Sequence, residues 1–181
     1  MPSIYDIPLQ RIDGSPTTLA AFRGQVLLVV NVASQCGLTP QYVALEALYQ
    51  AKCGAGLQVL GFPANNFAGQ EPGTDAEIGQ FCSAHYGVHF PMFSKISVKG
   101  EDLHPLYAAL VQAQPQTHGD GPLRSKLEGM QLVDPGERGV LWNFEKFLVG
   151  RHGEVVARFA PDVAPDDSAL VAAIDRELAR I

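Results

Sequence analysis

Val26-Leu27-Leu28-Val29-Val30-Asn31-Val32-Ala33-Ser34-Gln35-Cys36-Gly37-Leu38-Thr39-Pro40 is the stretch on which the reading of this chain turns. Residues 26–33 are short, β-branched and apolar on both faces, as a strand buried between two layers should be. Thr39 suits a helix N-cap and Pro40 the first helical position, and Leu45, Leu48 and Tyr49 then repeat at helical spacing. Cys36 therefore falls at a strand-to-helix junction, where free backbone N–H groups and the positive end of a helix dipole favour a thiolate. Gly37 leaves room for another molecule to approach the sulfur, and Thr39 stands where a dithiol motif would place its second cysteine. One thiol suggests a nucleophile, although a free cysteine is as readily a small buried hydrophobe.

Outward from this junction, helix 40–52 stops at Gly54 and Gly56 and a second strand spans 57–62, which makes a parallel crossover unit. The Gly- and Pro-bearing loop 63–73 leaves the same end of the sheet as Cys36, where α/β proteins place their sites. Thr74 and Glu77 then match a capping box, and Ile78, Phe81 and Cys82 lie on one face of the helix that follows. Tyr5 to Ile12 and the turn Asp13-Gly14 predict an N-terminal hairpin. A third helix is expected around Asp102 to Val111, and a long loop over 112–141. Strands 144–149 and 154–159 should form a second hairpin, and Leu170, Ala173, Ile174 and Leu178 mark a closing amphipathic helix.

The chain has 181 residues, 46% hydrophobic and 18% charged, enough for one domain over 1–181 with a full core and no metal or disulfide staple. A net charge of −6 argues against general attraction to nucleic acid or anionic membrane. Met1 to Ile7 carries no basic stretch followed by an apolar one, and no later segment could span a membrane, so a cytoplasmic protein is expected. Three cysteines without framework spacing suit a reducing compartment.

Three stretches stand out together: residues 31–39 with Cys36, Phe62-Pro63-Ala64-Asn65-Asn66-Phe67-Ala68-Gly69-Gln70-Glu71-Pro72-Gly73, and Trp142-Asn143-Phe144-Glu145-Lys146-Phe147-Leu148. In this order they resemble the signature segments of the glutathione peroxidase family, in its cysteine-containing bacterial form. Phe90 to Ile96 and Leu103 to Tyr107 extend the resemblance over nearly the whole chain. It implies a thioredoxin-like α/β fold, a central mixed sheet flanked by helices with an N-terminal hairpin, and a thiol peroxidase with Cys36 in place of a selenocysteine. The family's tetrad carries over onto Cys36, Gln70, Trp142 and Asn143. An indole N–H and two amides are donors without titratable charge, suited to holding a thiolate and orienting a peroxide oxygen. Asn66 stands where the family commonly has glutamine, and Leu38 where some relatives have lysine, which removes a cation beside the sulfur.

Hydroperoxide attack by Cys36 would leave a sulfenic acid that another thiol must condense with. Cys82 resembles the resolving cysteine of the thioredoxin-linked members, although its apolar neighbours bury it. Gly79 lowers the stability of its helix by about 0.5–1 kcal/mol relative to alanine and makes unwinding less costly. No bound cofactor is expected, and reduced thioredoxin or glutathione would be the electron-donating co-substrate. Cys53 has no motif partner and reads as structural. A zinc site built on Cys82 and His85 lacks a second ligand pair. Two other classes remain beside the enzyme: a peroxide sensor that passes oxidation to a partner protein, and a binding module without redox role.

Overall fold

A computed structural model describes residues 3–181. Met1 and Pro2, where the N-terminal stretch read above begins, lie outside the described residues. Strand β1 (Leu9–Gln10) pairs antiparallel with β2 (Pro16–Thr17), so the expected hairpin forms, with the Tyr5 region in a short 3-10 turn, Ile4–Asp6. The chain then enters β3 (Val26–Val32), every residue of which is buried. Helix α1 (Gln41–Lys52) and the 3-10 turn Cys53–Ala55 lead into β4 (Leu57–Pro63), which lies parallel to β3. Helices α2 (Asp75–Tyr86), α3 (Pro105–Ala113) and α4 (Pro122–Gly129) follow. The antiparallel strands β5 (Lys146–Val149) and β6 (Val155–Phe159) and helix α5 (Ser168–Ala179) complete the fold.

The sheet order β4-β3-β5-β6 places β3 between a parallel and an antiparallel neighbour. Run 26–32 is thus central because it is flanked on both sides and covered on both faces, as its apolar side chains on both faces require. On one face Tyr107 of α3 meets Phe62 of β4 and Phe147 of β5 edge-on, with ring centres about 6 Å apart. Tyr42 of α1 packs against Tyr86 of α2 and Phe144. These contacts pack α1 against α2 and against Phe144 before β5, and α3 against β4 and β5.

Two expectations need correction. Thr39 does not cap α1; the residue at the cap is Pro40, with no side-chain bond, and the helix starts at Gln41. The Thr39 hydroxyl is drawn backwards instead, accepting from Cys36 N–H at 3.0 Å and donating to Ala33 O at 2.8 Å. The long loop 112–141 is also not structureless. Gln112 and Ala113 belong to α3, and α4 lies within the segment with Leu127 buried. Pro122 opens that helix, a role proline fills well, whereas its density of glycines read as loop.

Candidate active site

Cys36 follows β3 by four residues and sits in a run of tight turns ahead of α1. Thr39 N–H donates to Cys36 O at 3.1 Å, Gln41 N–H to Leu38 O at 2.9 Å and Tyr42 N–H to Thr39 O at 3.0 Å. Cys36 as a residue is 9% exposed, so it is largely desolvated. Leu38 N–H donates to Cys36 Sγ at 3.3 Å, a backbone donor that fixes the direction of the sulfur.

The other three candidates come to the same end of the sheet. Gln35 N–H donates to Gln70 O at 3.0 Å, tying the loop after β4 to the residue beside Cys36. Asn143 Nδ2 donates to the side-chain Oε1 of Gln70 at 2.8 Å. The two amides therefore orient each other, leaving both Gln70 N–H groups and one of Asn143 for a substrate or a charged sulfur. Trp142 is 8% exposed and packs on Phe67, ring centres 5.3 Å apart. Its carbonyl accepts from Asn31 Nδ2 at 3.0 Å, and Asn31 O accepts from Phe144 N–H at 2.6 Å, so β3 anchors the Trp142–Phe144 turn from the strand that leads to Cys36. Phe144 holds φ +70°, an unfavourable conformation for a bulky residue and a kind of strain that gathers at functional sites.

Asn66 is bonded within the loop region. Its Oδ1 accepts from Val98 N–H at 2.9 Å and its Nδ2 donates to Ser97 Oγ at 3.0 Å and Lys99 O at 3.2 Å. Cys82 lies buried in the last turns of α2, and Cys36, Cys53 and Cys82 are all free thiols. Burial pushes the Cys82 thiol up; the nearby Tyr42 hydroxyl eases that rise and the Glu71 carboxylate adds to it. The α2 C-terminus closes with Gly87 N–H on Ser83 O and Val88 N–H on Cys82 O, both at 3.2 Å, around left-handed Gly87. Cys82 therefore stands on the last stretch of helix that local opening would free.

Between the Cys36 loop and α2 lies a cavity of about 180 Å³ lined by Ser34, Gln35, Glu71, Glu77, Ile78 and Phe81 among others. Glu71 is buried in its wall; burial pushes its carboxyl up, and Ser34 and then Lys95 pull it back. Neither Ser34 Oγ nor Glu71 Oε2 reaches a partner in hydrogen-bonding geometry, so the Ser34 dipole acts on the carboxyl from nearby rather than through a closed bond. Sequence reasoning passed over Glu71, Asn31 and the Thr39 bridge. A polar Asn31 inside an otherwise apolar strand was the one available signal.

Comparisons with known proteins place the chain in a family. A model of the glutathione peroxidase family matches residues 4–111. The chain is 48% identical over 182 residues to thioredoxin/glutathione peroxidase BtuE of Escherichia coli (strain K12), covering 98% of each. It is 45% identical over 168 residues to hydroperoxy fatty acid reductase gpx1 of Synechocystis sp. (strain ATCC 27184 / PCC 6803 / Kazusa), covering 92% of each. The apo crystal structure of Trgpx superposes with a TM-score of 0.73 at 34% identity, covering 99% of this chain and 97% of that one. With its thioredoxin-like sheet, a lone cysteine after the central strand and these relatives across its length, the chain is a peroxidase and belongs to the glutathione peroxidase family.

Proposed function

We propose that Cys36 is the peroxidatic residue. Its thiolate attacks the terminal oxygen of a hydroperoxide; the O–O bond breaks, the sulfur becomes a sulfenic acid, and the leaving oxygen takes a proton to depart as water or an alcohol. Gln70, Trp142 and Asn143 supply uncharged donors to the sulfur and the departing oxygen. The observation that carries this reading is the Gln70–Asn143 amide pair, held beside Cys36 by the Gln35–Gln70 backbone bond.

Cys82 then attacks the sulfenic sulfur, water leaves, and a Cys36–Cys82 disulfide forms. The C-terminal turns of α2 must open for this, which the burial of Cys82 makes necessary and Gly79 makes easier. Thioredoxin reduces the disulfide by exchange, with glutathione as the alternative donor; the name of the Escherichia coli relative, which carries both, supports the pairing. The name of the Synechocystis relative supports organic hydroperoxides beside hydrogen peroxide as substrates. Free thiols suit a reducing compartment such as the cytoplasm.

A coupled assay with thioredoxin or glutathione as donor, on wild type and Cys82→Ser, tests the cycle. Loss of the thioredoxin-linked rate in the variant supports it. Peptide mapping after peroxide treatment that found Cys36 sulfenic acid persisting, with no Cys36–Cys82 link, would remove the role given to Cys82.

A further inference from the structure

The buried ion pair between Glu145 and Arg158 has no part in the chemistry above. Arg158 Nε and Nη2 each reach Glu145 Oε2 at 2.8 Å, with side chains 2% and 1% exposed. Pairs so deeply buried can often be replaced by apolar residues without loss of stability, so stability alone gives no reason for this one. Its remaining bonds supply a reason. Arg158 Nη1 donates to Gln114 O at 3.3 Å, at the end of α3, and Nη2 to Gly139 O at 2.8 Å, while both approach Arg138 O at 3.4 Å. Glu145 Oε1 accepts from Leu141 N–H at 3.0 Å, the residue before Trp142. One pair thus holds both ends of the segment between α3 and β5, from the residue just before β5 and from strand β6, with the guanidinium lying over the Phe147 ring at 5.1 Å. The strained Phe144 conformation follows at once, and strain persists only where its surroundings over-determine the backbone.

We propose that Glu145 and Arg158 are positioning residues of the peroxidase site: they fix the backbone from Arg138 to Phe144 so that Trp142 and Asn143 face the Cys36 sulfur, and they make the conformation of the 114–141 segment felt at that sulfur. The inference rests on the reading that Trp142 serves Cys36.

Trp142 is the single tryptophan of the chain, so its fluorescence reports its position directly. Arg158→Lys keeps the charge, but an ammonium cannot serve Glu145, Gly139 and Arg138 from one planar fork. In this variant, with far-UV circular dichroism unchanged, Trp142 emission should move to longer wavelength and be quenched more by acrylamide. The peroxide kcat/KM should fall about ten- to a hundredfold, as small misplacements do. Glu145→Gln should do the same to a smaller degree. Emission unchanged and a rate within about twofold of wild type overturn the proposal. If the variants fail to fold, amide exchange in the wild-type protein decides: Leu141 N–H exchanging only with global unfolding supports the pinning, and exchange as fast as at exposed Asp134 and Gly136 overturns it. Trp142→Phe separates the two claims. A reduced rate in Trp142→Phe beside a normal one in Arg158→Lys removes this proposal alone, whereas an unchanged rate in Trp142→Phe removes the reading beneath it as well.

Discussion

The two arms of the site reach the same end of the sheet by different physics. The sulfur arm is the parallel unit β3-α1-β4, and its loops are ordered by neutral bonds: Thr39 on Cys36 N–H, Leu38 N–H on Sγ, and Gln35 N–H on Gln70 O. The indole and amide arm comes off the antiparallel strands β5 and β6 and carries the buried charges Glu145, Lys146 and Arg158. A crossover unit brings its own loops to the strand ends, so neutral bonds from backbone and short side chains suffice there. The other arm arrives from the irregular segment after α4 and reverses at strained Phe144, where apolar packing alone would leave its position loosely specified. Buried ions cost desolvation, but their bonds are directional.

Breaking the charged arm should give the largest effect. Glu145→Ala leaves Arg158 buried without its carboxylate and should cost about 3–5 kcal/mol of unfolding free energy, measured by urea titration. A smaller loss than in the neutral-arm variant below would reverse the contrast.

Lys146 gives the next effect. Its Nζ donates to Pro161 O at 2.9 Å and Val163 O at 2.6 Å, and burial pushes its ammonium down to about 7 against the pull of Asp162 and Glu145. The unfolded lysine keeps its proton up to about pH 10.4, so between these values the unfolded chain binds more protons and stability rises with pH. The wild-type minus Lys146→Met difference in unfolding free energy should therefore climb from pH 7 to 10, by up to about 1.4 kcal/mol per pH unit. A difference that stays flat across that range would show the ammonium to be satisfied where it lies.

In the neutral arm, Thr39→Val removes the bridge between Cys36 N–H and Ala33 O and should cost about 1–3 kcal/mol. The peroxide rate should fall with it, because the turn that presents the sulfur loosens; an unchanged rate would mean that the Leu38 contact alone orders the thiol. The smallest effect is stabilising. A Cβ on Gly79 would meet only Ile12, at 3.7 Å, so Gly79→Ala should add about 0.5–1 kcal/mol to α2. Stopped-flow measurement of Cys36–Cys82 disulfide formation should then show slower closure, and a faster one would argue against opening of α2.

Where sequence patterns are local, the reading held. The largely apolar run 26–32, the Thr74/Glu77 capping box and the Asp13-Gly14 turn each stand in the structure as their residue types required. Thr39 misled because a hydroxyl can bond forward to a helix or backward to a turn, and only the folded turn brings Ala33 O and Cys36 N–H within its reach. Helix α4 was hidden by Pro122 and Gly129, residues that bound helices as well as interrupt them. Glu145, Lys146 and Arg158 were passed over because charged side chains are expected outside; that all three are buried depends on partners 13 to 44 residues away.

By itself, the sequence determined the sheet-forming crossover, the position of Cys36 after its central strand and the motifs that mark the family, since periodicity and turn chemistry act over a few residues. Only the tertiary structure decided that Gln70 and Asn143 bond each other, that Glu71 lies beside Ser34 in a cavity wall, and that an ion pair grips both ends of the segment leading to Trp142. These contacts join residues 13 to 73 positions apart, and burial decides whether a charge or a thiol there is silent or in use.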